Sequence, residues 1–136
     1  MSVLITEVDR ARLQNCLQWL PLQLSHSAGI GVLERRLAAA TIVASDSIPR
    51  DQVTMNSHVR IRYIKSGEEI VVHLTYPPTP MGDDDGPRPV SVISPVGATI
   101  LGTRVGDLVE WKAPAGILRG KVVDVPYQPE AFGDSD

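Results

Sequence analysis

The feature that most constrains this chain is a period-two alternation beginning at Val59. Val59, Ile61 and Tyr63 alternate with Arg60, Arg62 and Ile64. Alternation of this kind puts one set of side chains on each face of a strand. Lys65-Ser66-Gly67-Glu68 supplies a hairpin turn, and Ile70, Val72 and Leu74 share one face of the return strand, 69–76. Pro77, Pro78 and Pro80 stop that strand, because proline donates no ladder hydrogen bond. A chain that opens this way must cover one sheet face with something apolar.

The rest of residues 53–126 reads as further pieces of the same sheet. Val53-Thr54-Met55 precedes the hairpin, and Val90-Ser91-Val92 follows an exposed loop at 81–89. Ser94 is placed to cap a helix with Pro95 at its first position, so a short helix is expected to Leu101, closed by Gly102. Val105-Gly106-Asp107 and Ala113-Pro114-Ala115-Gly116 are turns around a strand at 108–111. Leu118–Val125 alternates again as the last strand, and the polar tail from Tyr127 is expected to fray.

The first third has a different period. Thr6 and Asp9 are spaced as a capping box, and Val8, Leu13, Cys16, Leu17 and Leu20 form an approximate helical stripe that Pro21 ends. Ser25–Gly31 reads as a loop. A second helix is expected over 32–43, because Ile30, Leu33, Leu37 and Ala40 recur three and four residues apart. Two helices with a short connection predict an antiparallel hairpin over residues 1–48. Residues 44–52 act as linker, and a second domain fills 49–136. The fold class expected is α+β.

Composition narrows the function. Aromatic content is 4 %, so the core is built from Val, Ile and Leu. The net charge is −3, without the basic surplus of a nucleic-acid binder. Cys16 is the only cysteine, so neither an internal disulfide nor a thiol metal cluster is available. Residues 1–12 do not read as a signal peptide, and no apolar run is long enough to span a membrane, which predicts a cytoplasmic protein.

Candidate chemistry is sparse. His26, His58 and His73 are scattered, with no H-x-x-x-H motif; His58 is expected in a turn and His73 on a sheet face. Asp83-Asp84-Asp85 lacks the spacing of a calcium loop and is expected to be a solvated turn. Ser94 lacks the context of a nucleophile elbow. No cofactor and no catalytic residue is expected. Trp19, Leu20, Leu22 and Leu24 cluster near the hairpin tip, as either a contact patch or a cap on the hairpin core.

Ser94-Pro95-Val96-Gly97-Ala98-Thr99-Ile100-Leu101-Gly102 with Val105-Gly106-Asp107 resembles the C-terminal domain of the bacterial Gre transcript-cleavage factors. Val53-Thr54-Met55-Asn56-Ser57 and Tyr127-Gln128-Pro129-Glu130-Ala131 resemble a narrower family, the regulators of nucleoside diphosphate kinase. The resemblance implies an FKBP-like antiparallel sheet with one short helix, docked on RNA polymerase, and a hairpin directed at the secondary channel. It implies protein contacts through Trp19, Leu20, Leu22, Leu24, Pro95, Val96, Leu101 and Asp107. It also implies an indirect link to nucleoside diphosphate kinase.

Cleavage in the Gre family requires carboxylates at the hairpin tip to hold magnesium. Here no Asp or Glu lies between Asp9 and Glu34. Glu7 and Asp9 stand at the wrong end of the first helix to replace them. Prolyl isomerase activity is not expected either, since Tyr63, Tyr76 and Trp111 are the sheet region's few aromatics. The expectation is a non-enzymatic transcription regulator that competes with cleavage factors, or else an adaptor regulating nucleoside diphosphate kinase.

Overall fold

The computed structural model describes residues 3–77 and 86–133. Its elements are β1 (Leu4–Thr6), α1 (Glu7–Gln18), α2 (Ile30–Ala39), β2 (Thr41–Val43), β3 (His58–Tyr63), β4 (Glu69–Thr75), β5 (Arg88–Ser91), α3 (Pro95–Ile100), β6 (Leu108–Ala113) and β7 (Gly116–Tyr127). This is an α+β arrangement with the helices of the N-terminal part set beside a five-stranded sheet.

The sheet runs in the order β5-β4-β3-β7-β6. The alternation read from the sequence decides which faces are covered. Val59 and Ile61 of β3, and Val72 and Leu74 of β4, are buried, whereas Arg62 and Ile64 are exposed. The expectation of a purely antiparallel sheet is corrected at one edge. β4 and β5 pair in parallel, Val72 opposite Arg88 and Thr75 opposite Ser91. Residues 76–87 connect them, the dozen or so residues that a parallel return needs.

β6 and β7 form a tight hairpin with Ala113 opposite Gly116. β7 then slips in register against β3 between His58 and Ile61, a bulged stretch that bends the long strand. α3 lies over this sheet. Ser94 Oγ accepts a hydrogen bond from Gly97 N at 3.2 Å, so the expected cap is present. Gly97 is required there, because a Cβ would collide with the Ser91 carbonyl.

Three expectations from the sequence are overturned. The second helix stops at Ala39, and Thr41-Ile42-Val43 continues as β2, parallel to β1. Three consecutive β-branched residues resist the helix and suit a strand, and the Leu4–Thr6 segment offers the unpaired edge. The tail does not fray at Tyr127. Gln128 is buried, and its Nε2 donates to Pro49 O at 2.7 Å and Gln52 O at 2.8 Å. The presumed linker is held at the same place. Gln52 is buried and its Nε2 donates to Gly102 O.

One apolar cluster runs through the molecule. Ile5, Leu13 and Leu33 from the N-terminal part join Val59, Ile61, Leu74, Ile100, Leu101, Val109 and Val122. α2 packs on α3. The approach is close at Gly29, whose N–H donates to Ile93 O at 2.9 Å and where any Cβ would strike the backbone of Ile93 and Ser94. The Asp83-Asp84-Asp85 turn lies outside the described residues.

Candidate functional site

The joint between α1 and the sheet domain is polar and buried. Thr6 Oγ1 caps α1 by accepting from Asp9 N at 3.1 Å. One turn into the helix, the Asp9 side chain faces inward, and its Oδ2 accepts from Met55 N at 3.0 Å. Burial raises the Asp9 carboxyl to about 6, against the lowering effect of the Met55 hydrogen bond; Glu130 adds to the rise, and Arg12 and Thr6 oppose it. The Tyr76 hydroxyl is buried beside this carboxylate. Burial first, then the Asp9 charge, pushes the phenol far above its ordinary range.

The residues after Val53 complete the joint. Thr54 Oγ1 donates to Glu130 Oε1 at 2.7 Å, and Ser57 Oγ accepts from Thr54 N at 3.0 Å. Asn56 takes a left-handed conformation (φ 68°) that turns the chain into β3. The two segments that carry the narrower family resemblance, 53–57 and 127–131, are thus bound to each other and, through Met55, to α1. Sequence spacing alone could not show this, since Thr54 and Glu130 lie 76 positions apart.

This geometry rules out Asp9 as a stand-in for the missing tip carboxylates, while Glu7 stays exposed at the start of α1. Asp9 is only 6 % exposed and its carboxylate is committed to the Met55 amide, so it cannot present oxygens to a magnesium ion in a partner. Among the described residues, no group of three or more His, Cys, Asp or Glu could hold a metal ion.

The residues that follow α1 divide. Trp19 (72 % exposed) and Leu22 (81 %) stand in solvent, while Leu20 and Leu24 are partly buried against the core. Leu20 and Leu24 thus act as a cap on the core, and Trp19 and Leu22 are left with free surface. Trp19, Leu20 and Pro77 line one hollow, with Arg12 and Asn15 at its side. Leu24, Pro77, Ser94 and Pro95 line the next. Pro77 is common to both, so the structure joins the tip residues to Pro95 at the start of α3.

The other sequence-selected residues sit differently. Val96 is partly buried against the core. Leu101 is 1 % exposed and belongs to the core; it has no surface to offer a partner. Asp107 is half-buried and its Oδ2 accepts from Arg104 N at 3.0 Å, closing the turn before β6. Cys16 is half-buried on the wall of the Trp19 hollow, and burial raises its thiol. Sequence reasoning missed an exposed apolar group at the far end of the sheet, Ile64, Ile117 and Leu118, around a concavity floored by Tyr63. Their alternation was visible, but which strand ends project past their neighbours was not.

A mixed sheet with one capped helix over it and a helical N-terminal part is the arrangement that comparison with known proteins places in a family. The family described as "Transcription elongation factor, GreA/GreB, C-term" matches residues 48–127. The chain belongs to the GreA/GreB family. Within it, the similarity runs end to end with the "Regulator of nucleoside diphosphate kinase" of Escherichia coli strain K12, 36 % identical and covering 98 % of this chain and 95 % of that protein. The "Transcription elongation factor GreA" of Thermotoga neapolitana is 40 % identical over 68 % of this chain, but this match spans only 57 % of that factor. Among solved structures, "Prokaryotic transcription elongation factor GreA/GreB from Nitrosomonas europaea" superposes with a TM-score of 0.73 at 38 % identity, over 93 % of this chain and 99 % of that one. The names of these relatives are those of a regulator and of transcription elongation factors, and this chain is a non-catalytic relative of theirs. No helix among the described residues is long and apolar enough to cross a membrane.

Proposed function

We propose that this protein is a regulatory adaptor that acts by protein contact and controls the level or activity of nucleoside diphosphate kinase. The end-to-end similarity to the Escherichia coli regulator carries this reading, since it covers 95 % of that protein and GreA is matched over 57 % of its length. Kinase abundance and activity, compared in cells with and without this protein, test it. A change in either is expected. Unchanged kinase would remove the reading, and co-purification of the two pure proteins would separate direct from indirect control.

A second reading is favoured by the C-terminal family match at 48–127. Here the protein docks on RNA polymerase near the secondary channel and competes there with transcript-cleavage factors. Residues 49–136 serve as an FKBP-like docking body and residues 1–48 as a short helical hairpin at the channel. Trp19, Leu20, Leu22, Leu24, Pro95, Val96 and Asp107 supply the contacts. The absence of Asp and Glu between residues 9 and 34 supports occupation without cleavage. Binding to core polymerase, with a cleavage factor as competitor, tests it: mutual exclusion is expected, and no binding would leave only the first reading.

A further inference from the structure

His58 and His73, scattered in the sequence, are brought together by the sheet. They are direct partners across β3 and β4. Ladder hydrogen bonds fall at the flanking positions of this pair of strands, Leu74 N to Ser57 O at 3.1 Å and, farther along, Tyr63 N to Glu68 O at 2.8 Å. That alternation places His58 and His73 at a non-hydrogen-bonded position, where opposed side chains come closest. Their ring centroids are 4.9 Å apart and the rings are inclined at 67°.

This spacing has a chemical meaning. Zinc binds imidazole nitrogen at about 2.0–2.1 Å, and two imidazoles at a tetrahedral angle on one ion hold their ring centres about 5 Å apart. We propose that His58 and His73 form a two-histidine site for a divalent transition-metal ion of the zinc or nickel class. Imidazole donors select those ions over magnesium and calcium, which take oxygen ligands.

The surroundings fit such a site. Both rings are half-buried, so one side stays open to solvent. Burial lowers the pKa of each ring, and His73 lowers that of His58 further, which favours the neutral forms that bind metal. Tyr127 packs on His58 with ring centroids 5.0 Å apart and restricts its rotation. Arg60, next on the same face, has counter-charges in Glu69 and Asp124 at 3.9 Å each. Two protein ligands leave positions open for water or for a donor from a partner. Binding would fasten β3 to β4 on the face where Tyr127 and Phe132 fold over.

The test is calorimetric titration of the full chain with zinc chloride and with nickel chloride. One site per chain is expected. His58→Gln and His73→Gln should each weaken it by about tenfold or more, since even outer-shell losses cost that much. His26→Gln, in an exposed loop, should leave it unchanged. Imidazole resonances of the unaltered protein give a readout independent of variant folding: those of His58 and His73 should shift on adding zinc while that of His26 stays. No heat at millimolar metal, or binding that survives in the double variant, would overturn the proposal.

Discussion

The N-terminal part and the C-terminal sheet are held by different kinds of interaction. In the sheet, two of the four strand pairings are local, β3 with β4 and β6 with β7, each through one turn, while β3 also takes the distant β7 as its other neighbour. In the N-terminal part the ends meet instead. β1 pairs in parallel with β2 across the whole helical stretch, Leu4 opposite Thr41 and Thr6 opposite Val43. α1 is fixed to the sheet domain by one buried carboxylate on one backbone amide. Two hairpins give the sheet local nuclei that the β3–β7 pairing then joins, whereas the β1–β2 pairing of the N-terminal part is long-range alone. Both nonetheless contribute side chains to a single apolar cluster.

Removing a shared core residue breaks that contrast most severely. Leu74→Ala leaves a cavity beneath β4, where the native side chain is fully buried. A loss of about 2–5 kcal/mol is expected. The two tryptophans serve as separate probes, Trp19 in the N-terminal part and Trp111 in β6. Urea unfolding followed in each single-tryptophan variant should show one coincident transition, shifted equally by the substitution. Separate transitions would mean that the two parts fold independently.

The Asp9 carboxyl gives the next largest effect. Burial holds its pKa at about 6 when folded, against 3.8 for a free aspartate side chain. A raised folded pKa means that the native state holds the proton more tightly than the unfolded chain. The stabilisation is therefore complete below about pH 4 and disappears as pH rises through about 6. Over that window roughly 3 kcal/mol is at stake, from about 1.4 kcal/mol per pH unit. Asp9→Asn keeps an acceptor for the Met55 amide but cannot ionise, so its stability should be flat in this window relative to the parent. A parent profile that is already flat there would show that the joint does not carry this carboxyl in the way described.

How far each part could be read from sequence follows from the same contrast. Val59, Ile61, Val72 and Leu74 announced their face because the period of a strand is local, and Ser94-Pro95 announced a helix start because a cap needs only three residues. The helix expected to reach Val43 failed at Ala40, since the pull on Thr41-Ile42-Val43 comes from Leu4–Thr6, far away in sequence. The tail was misread for a similar reason. Gln128 and Glu130 look like solvated polar residues until Gln52 and Thr54 are placed beside them. Of the residues proposed for contact, Trp19 and Leu22 flank a helix-ending proline and are exposed. The burial of Leu101 was not legible, because a motif does not say which of its side chains point inward.

Two helix caps allow a finer comparison. Thr6 caps α1 through Asp9 N at 3.1 Å, and Ser94 caps α3 through Gly97 N at 3.2 Å. Alanine at either position should cost about 1 kcal/mol for the lost cap. Ser94 Oγ also donates to Ser91 O at 2.6 Å, a tie to the end of β5, whereas the second bond of Thr6 goes to the Asp9 side chain of the helix it already caps. The Ser94→Ala loss should therefore be the larger of the two in thermal denaturation. Equal losses would assign the whole effect to the caps.

The smallest expected effect on stability carries the most functional weight. Trp19 and Leu22 are 72 % and 81 % exposed, so replacing both by serine removes little buried surface and should change stability by no more than about 0.5 kcal/mol each. If the hollows around Pro77 are a docking surface, the same double variant should lose partner binding, whether the partner is the kinase or the polymerase. Leu20→Ala and Leu24→Ala should behave differently, because these side chains pack on the core and their loss destabilises the fold as well. A Trp19→Ser, Leu22→Ser protein that keeps full stability and full binding would detach the tip from function. The contacts would then have to come from α3 or from the Ile64, Ile117 and Leu118 end of the sheet.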